Sequence, residues 1–387
     1  MTIQDRINTF ADDLTAIRRD LHEHPELGFQ EVRTAGIVAE KLRSWGIEVT
    51  EGIGKTGVVG VLKGNRPGRT IGLRADMDAL PIDEQTNLPW ASKTPGVMHA
   101  CGHDAHTTML LGAARYLAEN RDFAGTAVFI FQPAEEGLGG ARAMIADGLF
   151  QRFPCDEIYG MHNSPYHEPG VVGVKPGPAM AGANFFDIHI TGKGCHAAMP
   201  ESGIDTLVIA TALVQQLQSI VARNVPPTKQ LVLSVTQIHA GAAYNVIPET
   251  AHLAGTVRYF DRATAEMVTQ RMQALCEGIE KGYGVEIKME MRNVFDVLEN
   301  DPALAEALIG AARELVGDNA QIKSDLVMGS EDFADMLQAV PGAYCTIGHK
   351  GSVPLHNPGF VLDDGILPLG ASIMARMVEL RGEGSGR

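Results

Sequence analysis

Apolar positions recur at helical spacing from Ile3 to Glu23 and again from Arg33 to Trp45, and short Val- and Ile-rich runs follow at Gly57–Leu62 and Thr70–Arg74. A period near 3.6 puts apolar side chains on one helix face, whereas a short apolar run bounded by turn residues suits a buried strand. Their alternation is the rhythm of an α/β sheet. Two later runs, Thr126–Phe131 and Asp156–Met161, also read as buried strands, and each passes directly into polar residues. Ligands gather at the carboxyl ends of strands in open α/β sheets, so chemistry is expected there. The segment Thr107–Glu119 carries Met109, Leu110, Ala113, Ala114 and Leu117 at helical spacing, which predicts a helix packed on the sheet.

Between about Asn184 and Val297 the pattern changes to strand, helix, strand, strand, helix, strand: Phe185–Thr191, Ile204–Arg223, Leu231–His239, His252–Phe260, Ala263–Gly282 and Val285–Val294. That order is the split βαβ plan of a ferredoxin-like α+β unit, which closes on itself. The α/β pattern then resumes with a helix at Pro302–Val316 and a strand at Gly342–Gly348. The reading is therefore a discontinuous α/β domain, 1–183 with 298–387, interrupted by an inserted domain at 184–297. The polar, Gly-rich stretch Gly382–Arg387 is expected to fray.

Composition narrows the function. A chain of 387 residues, 45% hydrophobic and 20% charged, can bury two cores without staples. A net charge of -15 without a local Lys/Arg cluster argues against nucleic acid, and no apolar run is long enough to span a bilayer. Met1–Asp20 lacks the basic flank and apolar core of a signal peptide, and the five cysteines are odd in number and scattered. Both features point to the reducing cytoplasm.

The densest chemical signal is Met98-His-Ala-Cys-Gly-His-Asp-Ala-His-Thr107. In extended backbone, alternate residues share a side, so His99, Cys101 and His103 are expected to project together, with Gly102 letting the chain bend. Such a cluster suits a metal site or, equally, a thiol–imidazole nucleophile pair. The second signal is Phe131-Gln-Pro-Ala-Glu-Glu-Gly137, where a buried strand ends in paired carboxylates. One of such a pair can bind metal while the other accepts and returns a proton. His162, in Gly160-Met-His-Asn163, and His356, in Pro354-Leu-His-Asn-Pro-Gly359, would each be unremarkable alone. With Cys101, His103 and Glu136 they make five N, S and O donors, enough for two ions that keep open positions if one donor bridges. A thiolate among imidazoles disfavours calcium and magnesium; manganese or zinc is expected, with cobalt and nickel also compatible.

These motifs resemble, in order and wording, the aminoacylase/carboxypeptidase family of dinuclear metallopeptidases, peptidase family M20, in its hippurate-hydrolase or N-acyl-amino-acid amidohydrolase branch. The resemblance spans nearly the whole chain and includes Arg19-Asp-Leu-His-Glu-His-Pro-Glu-Leu-Gly28, Leu73-Arg-Ala-Asp-Met-Asp-Ala-Leu-Pro81, Gly192-Lys-Gly-Cys-His-Ala-Ala-Met-Pro200 and Met328-Gly-Ser-Glu-Asp-Phe333. It implies a mixed-sheet catalytic domain of zinc-exopeptidase type with an inserted lid that dimerises, and two divalent transition-metal ions per subunit. It implies Cys101, His103, Glu136, His162 and His356 as ligands and Glu135 as general base. His196 would polarise the scissile carbonyl, from this chain or a partner's, while Asn245 and Arg258 would hold the carboxylate of an N-acyl amino acid. The wider family has a His-x-Asp motif where this chain has Asp76-Met77-Asp78. The branch it resembles shares that departure, which leaves Asp76 and Asp78 to orient ligands or brace the fold.

Overall fold

The computed structural model describes residues 1–351 and 353–383, and the chain divides into two compact units. One takes Met1–Gly177, Glu299–Asp325 and the chain from Asp332 onward; the other takes Pro178–Leu298 and Leu326–Glu331. Of the tail expected to fray, Gly382 closes a helix, Leu367–Gly382, and everything beyond Glu383 lies outside the described residues.

The first unit is built on an eight-stranded mixed sheet. Its order is Glu48–Ile53, Gly57–Lys63, Ala124–Gln132, Arg66–Asp76, Glu157–Ser164, Gly342–Gly348, Val172–Val174, Ala320–Ile322. The four central strands, from Ala124–Gln132 to Gly342–Gly348, run parallel. Three of them are buried almost throughout and Arg66–Asp76 from Ile71 onward, as parallel strands covered on both faces must be. The helix His103–Glu119 is also buried nearly all round and packs against Leu367–Gly382. Parallel strands all end on one edge, so Asp76, Gln132, His162 to Ser164 and Gly348 come out together there.

Two expectations need correction. The single helix over Ile3–Glu23 is two, Ile3–Asn8 and Ala11–Glu23, broken at Thr9 and Phe10 so that Phe10 can be buried. The helix expected from Thr107 begins at His103. Gly102 stands before it with φ 96°, a left-handed conformation natural to glycine, so the chain turns there instead of continuing extended.

In the second unit an antiparallel sheet is ordered Leu231–Ala240, Thr250–Tyr259, Gly182–Thr191, Glu286–Phe295. Alternate residues Phe186, Ile188 and Ile190 join Leu213, Leu217, Val268 and Met272, from the helices Thr206–Arg223 and Arg262–Tyr283, in one apolar core. The intervening positions, such as Asp187 and His189, face away from it.

Candidate metal centre

Five donor side chains converge at the carboxyl edge of the parallel strands. Cys101 precedes the turn at Gly102, His103 opens the helix, Glu136 lies in the loop after Ala124–Gln132, and His162 sits near the end of its own strand. His356 comes from the loop after Gly342–Gly348, where its backbone N–H donates to Ala100 O at 2.8 Å and ties that loop beside Cys101. Within this cluster the donor atoms of Cys101, His103 and His162 lie within 4.8 Å of one another, and so do those of Cys101, Glu136 and His356. Cys101 is common to both triads. A third group joins His103 to Glu135 and Glu136.

The neighbours fix how each imidazole presents itself. His103 Nδ1 lies 3.2 Å from Asp78 Oδ1, and His162 Nδ1 lies 2.6 Å from the Asn163 carbonyl. Each acceptor takes the Nδ1 proton and turns Nε2 to the cluster, the nitrogen a metal ligand would offer. Burial works against charge on His103, but Asp76 and Cys101 override it and hold the imidazole well above its ordinary range, so a cation there would take the place of the second proton. Asp78 Oδ2 also accepts the Glu136 backbone N–H at 3.0 Å, so one carboxylate sets two donors. Asp76 Oδ1 lies 2.6 Å from His106 Nδ1, whose Nε2 meets Asn163. Around Glu135, Ala134 adopts φ 54° and is held by Glu31, which accepts the Ala134 N–H at 2.8 Å. The Asp332 N–H reaches Glu135 Oε1 at 3.4 Å.

The charges fit cations. Burial is the largest influence on Cys101 and raises its thiol, with Glu136 adding to the effect; burial likewise drives His162 well below the ordinary range. Hydrogen bonding to Cys101 and then Glu136 pushes His356 up to about 10, so a proton there answers the negative donors. His103 Nε2 is buried with no hydrogen-bond partner, and Glu136 Oε1, also buried, lies 3.1 Å from His356 Nε2, so both turn donor atoms into the cluster where a cation would sit.

The profile of peptidase family M20/M25/M40 matches residues 72–380. The chain belongs to this family. It is 44% identical over 362 residues to a hippurate hydrolase of Campylobacter jejuni, covering 93% of this chain and 94% of the relative. It is 40% identical over 370 residues to an N-acetylcysteine deacetylase of Bacillus subtilis, with 95% and 96% covered. A crystal structure of a dinuclear metal-binding peptidase from the M20 family, also from Bacillus subtilis, superposes with a TM-score of 0.85 at 38% identity over 97% of this chain and 99% of that one.

For this M20 family member the fold also shows where sequence reasoning fell short. His99, expected beside Cys101 and His103, instead lies against His22 with ring centroids 6.3 Å apart. Glu31, fully buried beneath the Glu135 turn, carried no motif at all. Arg74 and Asp332 stood inside recognised motifs, and their contact was unreadable until the fold joined them at 3.0 Å. His196, Asn245 and Arg258 belong to the second unit. There Val246 pairs with His196, and the Asn245 carbonyl accepts the Ala197 N–H at 3.0 Å, so His196 and Asn245 share one short ribbon. The Ala198 N–H donates to His196 Nδ1 at 3.1 Å, which leaves the ring's proton on Nε2. Arg258 donates to Ser330 Oγ at 2.7 Å, within the same unit.

Proposed function

We propose that this chain is a metal-dependent amidohydrolase that cleaves N-acyl amino acids into a carboxylic acid and a free amino acid. The observation that carries the reading is the pair of donor triads sharing Cys101, with Glu135 beside them in a group with His103 and Glu136. In this reading Cys101, His103, Glu136, His162 and His356 hold two divalent ions, manganese or zinc first, with Asp76 and Asp78 orienting ligands. One thiolate and one carboxylate leave such a site at about +2, which attracts an anionic substrate. Bound there, the ions supply acidification of water and polarisation of the amide carbonyl. Glu135 accepts a proton from the attacking water and returns it to the amide nitrogen, so the amine leaves neutral. His196 donates from Nε2 to the carbonyl oxygen as negative charge develops, and Asn245 with Arg258 takes the substrate carboxylate.

The second unit, in this proposal, is a ferredoxin-like lid inserted at about 184–297, the enzyme works in the cytoplasm as a homodimer or higher homo-oligomer formed through that lid, and neither nucleic acid nor membrane is a partner. Among the described residues no helix is long and apolar enough to cross a membrane. The deciding experiment assays hippurate, N-acetyl amino acids and dipeptides before and after chelation, together with metal content. Hydrolysis of acyl amino acids that disappears on chelation and returns with manganese or zinc is expected. Preference for dipeptides would make the chain a dipeptidase instead, and activity surviving complete metal removal would overturn the reading.

A further inference from the structure

The antiparallel sheet of the second unit leaves one face open, and three histidines stand on that face in a single row across three strands. His239 is paired in register with His252, and His252 with His189. The rings of His189 and His252 stack with centroids 4.6 Å apart at 14°, and those of His239 and His252 at 6.0 Å and 11°. Asp187, two positions from His189 on its strand and so on the same face, brings Oδ1 to 2.8 Å from His252 Nε2. The donor atoms of Asp187, His189 and His252 all lie within 4.8 Å of one another. Charged groups surround the row: Arg292 donates to Asp187 Oδ2 at 2.8 Å, Lys288, in register with His189, pairs with Glu286 at 2.9 Å, and Glu290 stands opposite Asp187.

Cross-strand stability alone does not call for this row. β-branched or aromatic residues serve an exposed sheet face better, and protonated imidazoles directly opposite one another would repel. Neutral, each ring offers one lone pair. Two imidazoles and a carboxylate from neighbouring strands are the N₂O donor set that borderline transition metals take on one side, with water on the other. His252 Nε2 shares a proton with Asp187 Oδ1 at 2.8 Å, and the stacked rings hold their lone pairs in near-parallel planes, so a cation takes the place of that proton and both rings turn about their outer torsion to meet it.

We propose that Asp187, His189 and His252 form a peripheral site for one borderline divalent cation, such as nickel, copper or zinc, that clamps the strands Gly182–Thr191 and Thr250–Tyr259 together. None of its residues belongs to the candidate catalytic centre, so the site stands or falls independently of the amidohydrolase reading. Being open to water, it fills after the buried cluster.

The test uses full-length protein first loaded with two equivalents of manganese, then dialysed to equilibrium against nickel, with total metal counted by elemental analysis. Wild type is expected to hold one more equivalent per chain than a His189→Ala/His252→Ala double variant, while both hydrolyse the same substrate at the same rate. Asp187→Asn, which keeps the shape and removes the anionic donor, weakens the extra uptake. With copper as probe, the wild type shows nitrogen hyperfine structure from two imidazoles that the double variant lacks. Equal total metal in wild type and double variant, or a copper spectrum unchanged by the substitutions, overturns the site.

Discussion

Glu135 and Glu136 are adjacent in sequence yet keep different company. Glu136 Oε1 lies 3.1 Å from His356 Nε2 and 3.9 Å from His103 Nε2, whereas Glu135 takes the backbone N–H of Asp332. Glu135 also lies in a group with His103 and Glu136, and in the proposed mechanism it is the one that carries the proton. Glu135→Gln keeps the shape and removes the basicity. It is expected to retain its metal while hydrolysis falls by at least about two orders of magnitude, the usual share of general acid–base catalysis; rates and metal content measured on one preparation check both halves. Gly102 is constrained as tightly. At φ 96° a Cβ would meet Asn163 Oδ1 at 2.1 Å, and Asn163 orders both His106 and His349. Gly102→Ala should therefore destabilise the protein by about 1–3 kcal/mol, the range for forcing a side chain into this backbone region, and should loosen metal binding through the neighbouring His162. Urea unfolding and metal retention on a desalting column measure the two effects.

At the scale of elements, buried ionic links join strand ends and helices. Arg74, 1% exposed, bridges Asp76 in its own strand at 2.7 Å and Asp332 at 3.0 Å. Removing one partner of a buried ion pair costs about 3–5 kcal/mol because the rest stays desolvated, so Arg74→Met should lower stability by that order in denaturant titrations. His22 ties the Ala11–Glu23 helix to His103–Glu119 through Asp104 at 2.8 Å. Burial alone would lower this imidazole, but hydrogen bonds to Asp104 and Glu84 override it and raise it to about 9. A histidine raised on folding contributes stability that is complete below its unfolded value and is lost as pH climbs through the folded one. The stability difference between wild type and His22→Gln should accordingly shrink as pH rises from about 6.5 to about 9; a difference that grows over that range would contradict the link.

The same scale shows what the sequence makes legible. Strand ends single out Glu136 and His162, the dense Met98–Thr107 cluster singles out Cys101 and His103, and His356 stands out only in company with them, because strand ends and donor residue types are both local signals. The left-handed turn that starts a helix at His103 is not local in that sense; it depends on Gly102 fitting against Asn163 from another strand. Glu31 is silent in sequence for the same reason, since its partners Thr56 and Ala134 arrive only through tertiary packing. The break at Thr9 and Phe10 is hidden because the apolar spacing runs on through it.

Across the whole molecule, all five donors come from the unit that contains the mixed sheet, and none from the other. Starting from protein with two equivalents of metal, chelation should raise hydrogen exchange in amides at the strand ends, Glu136 and Ala105 among them. Amides of Gly182–Thr191 and Thr250–Tyr259 should keep their protection. A ligand that binds only the folded state at 100 times its Kd stabilises by about 2.7 kcal/mol, so a matching fall in melting temperature is expected as well. Loss of protection spread evenly over both units would mean that the cations are held elsewhere.

His356 is the last of the five donors in chain order, some 250 residues after Cys101, and its loop is pinned to Ala100. Synthesis thus delivers the final donor only when most of the chain has already left the ribosome. A nascent or prematurely stopped polypeptide would present an incomplete set, so ions captured early would be held loosely and exchange freely. On the proposed ligand set, maturation of the centre is thereby tied to completion of the polypeptide.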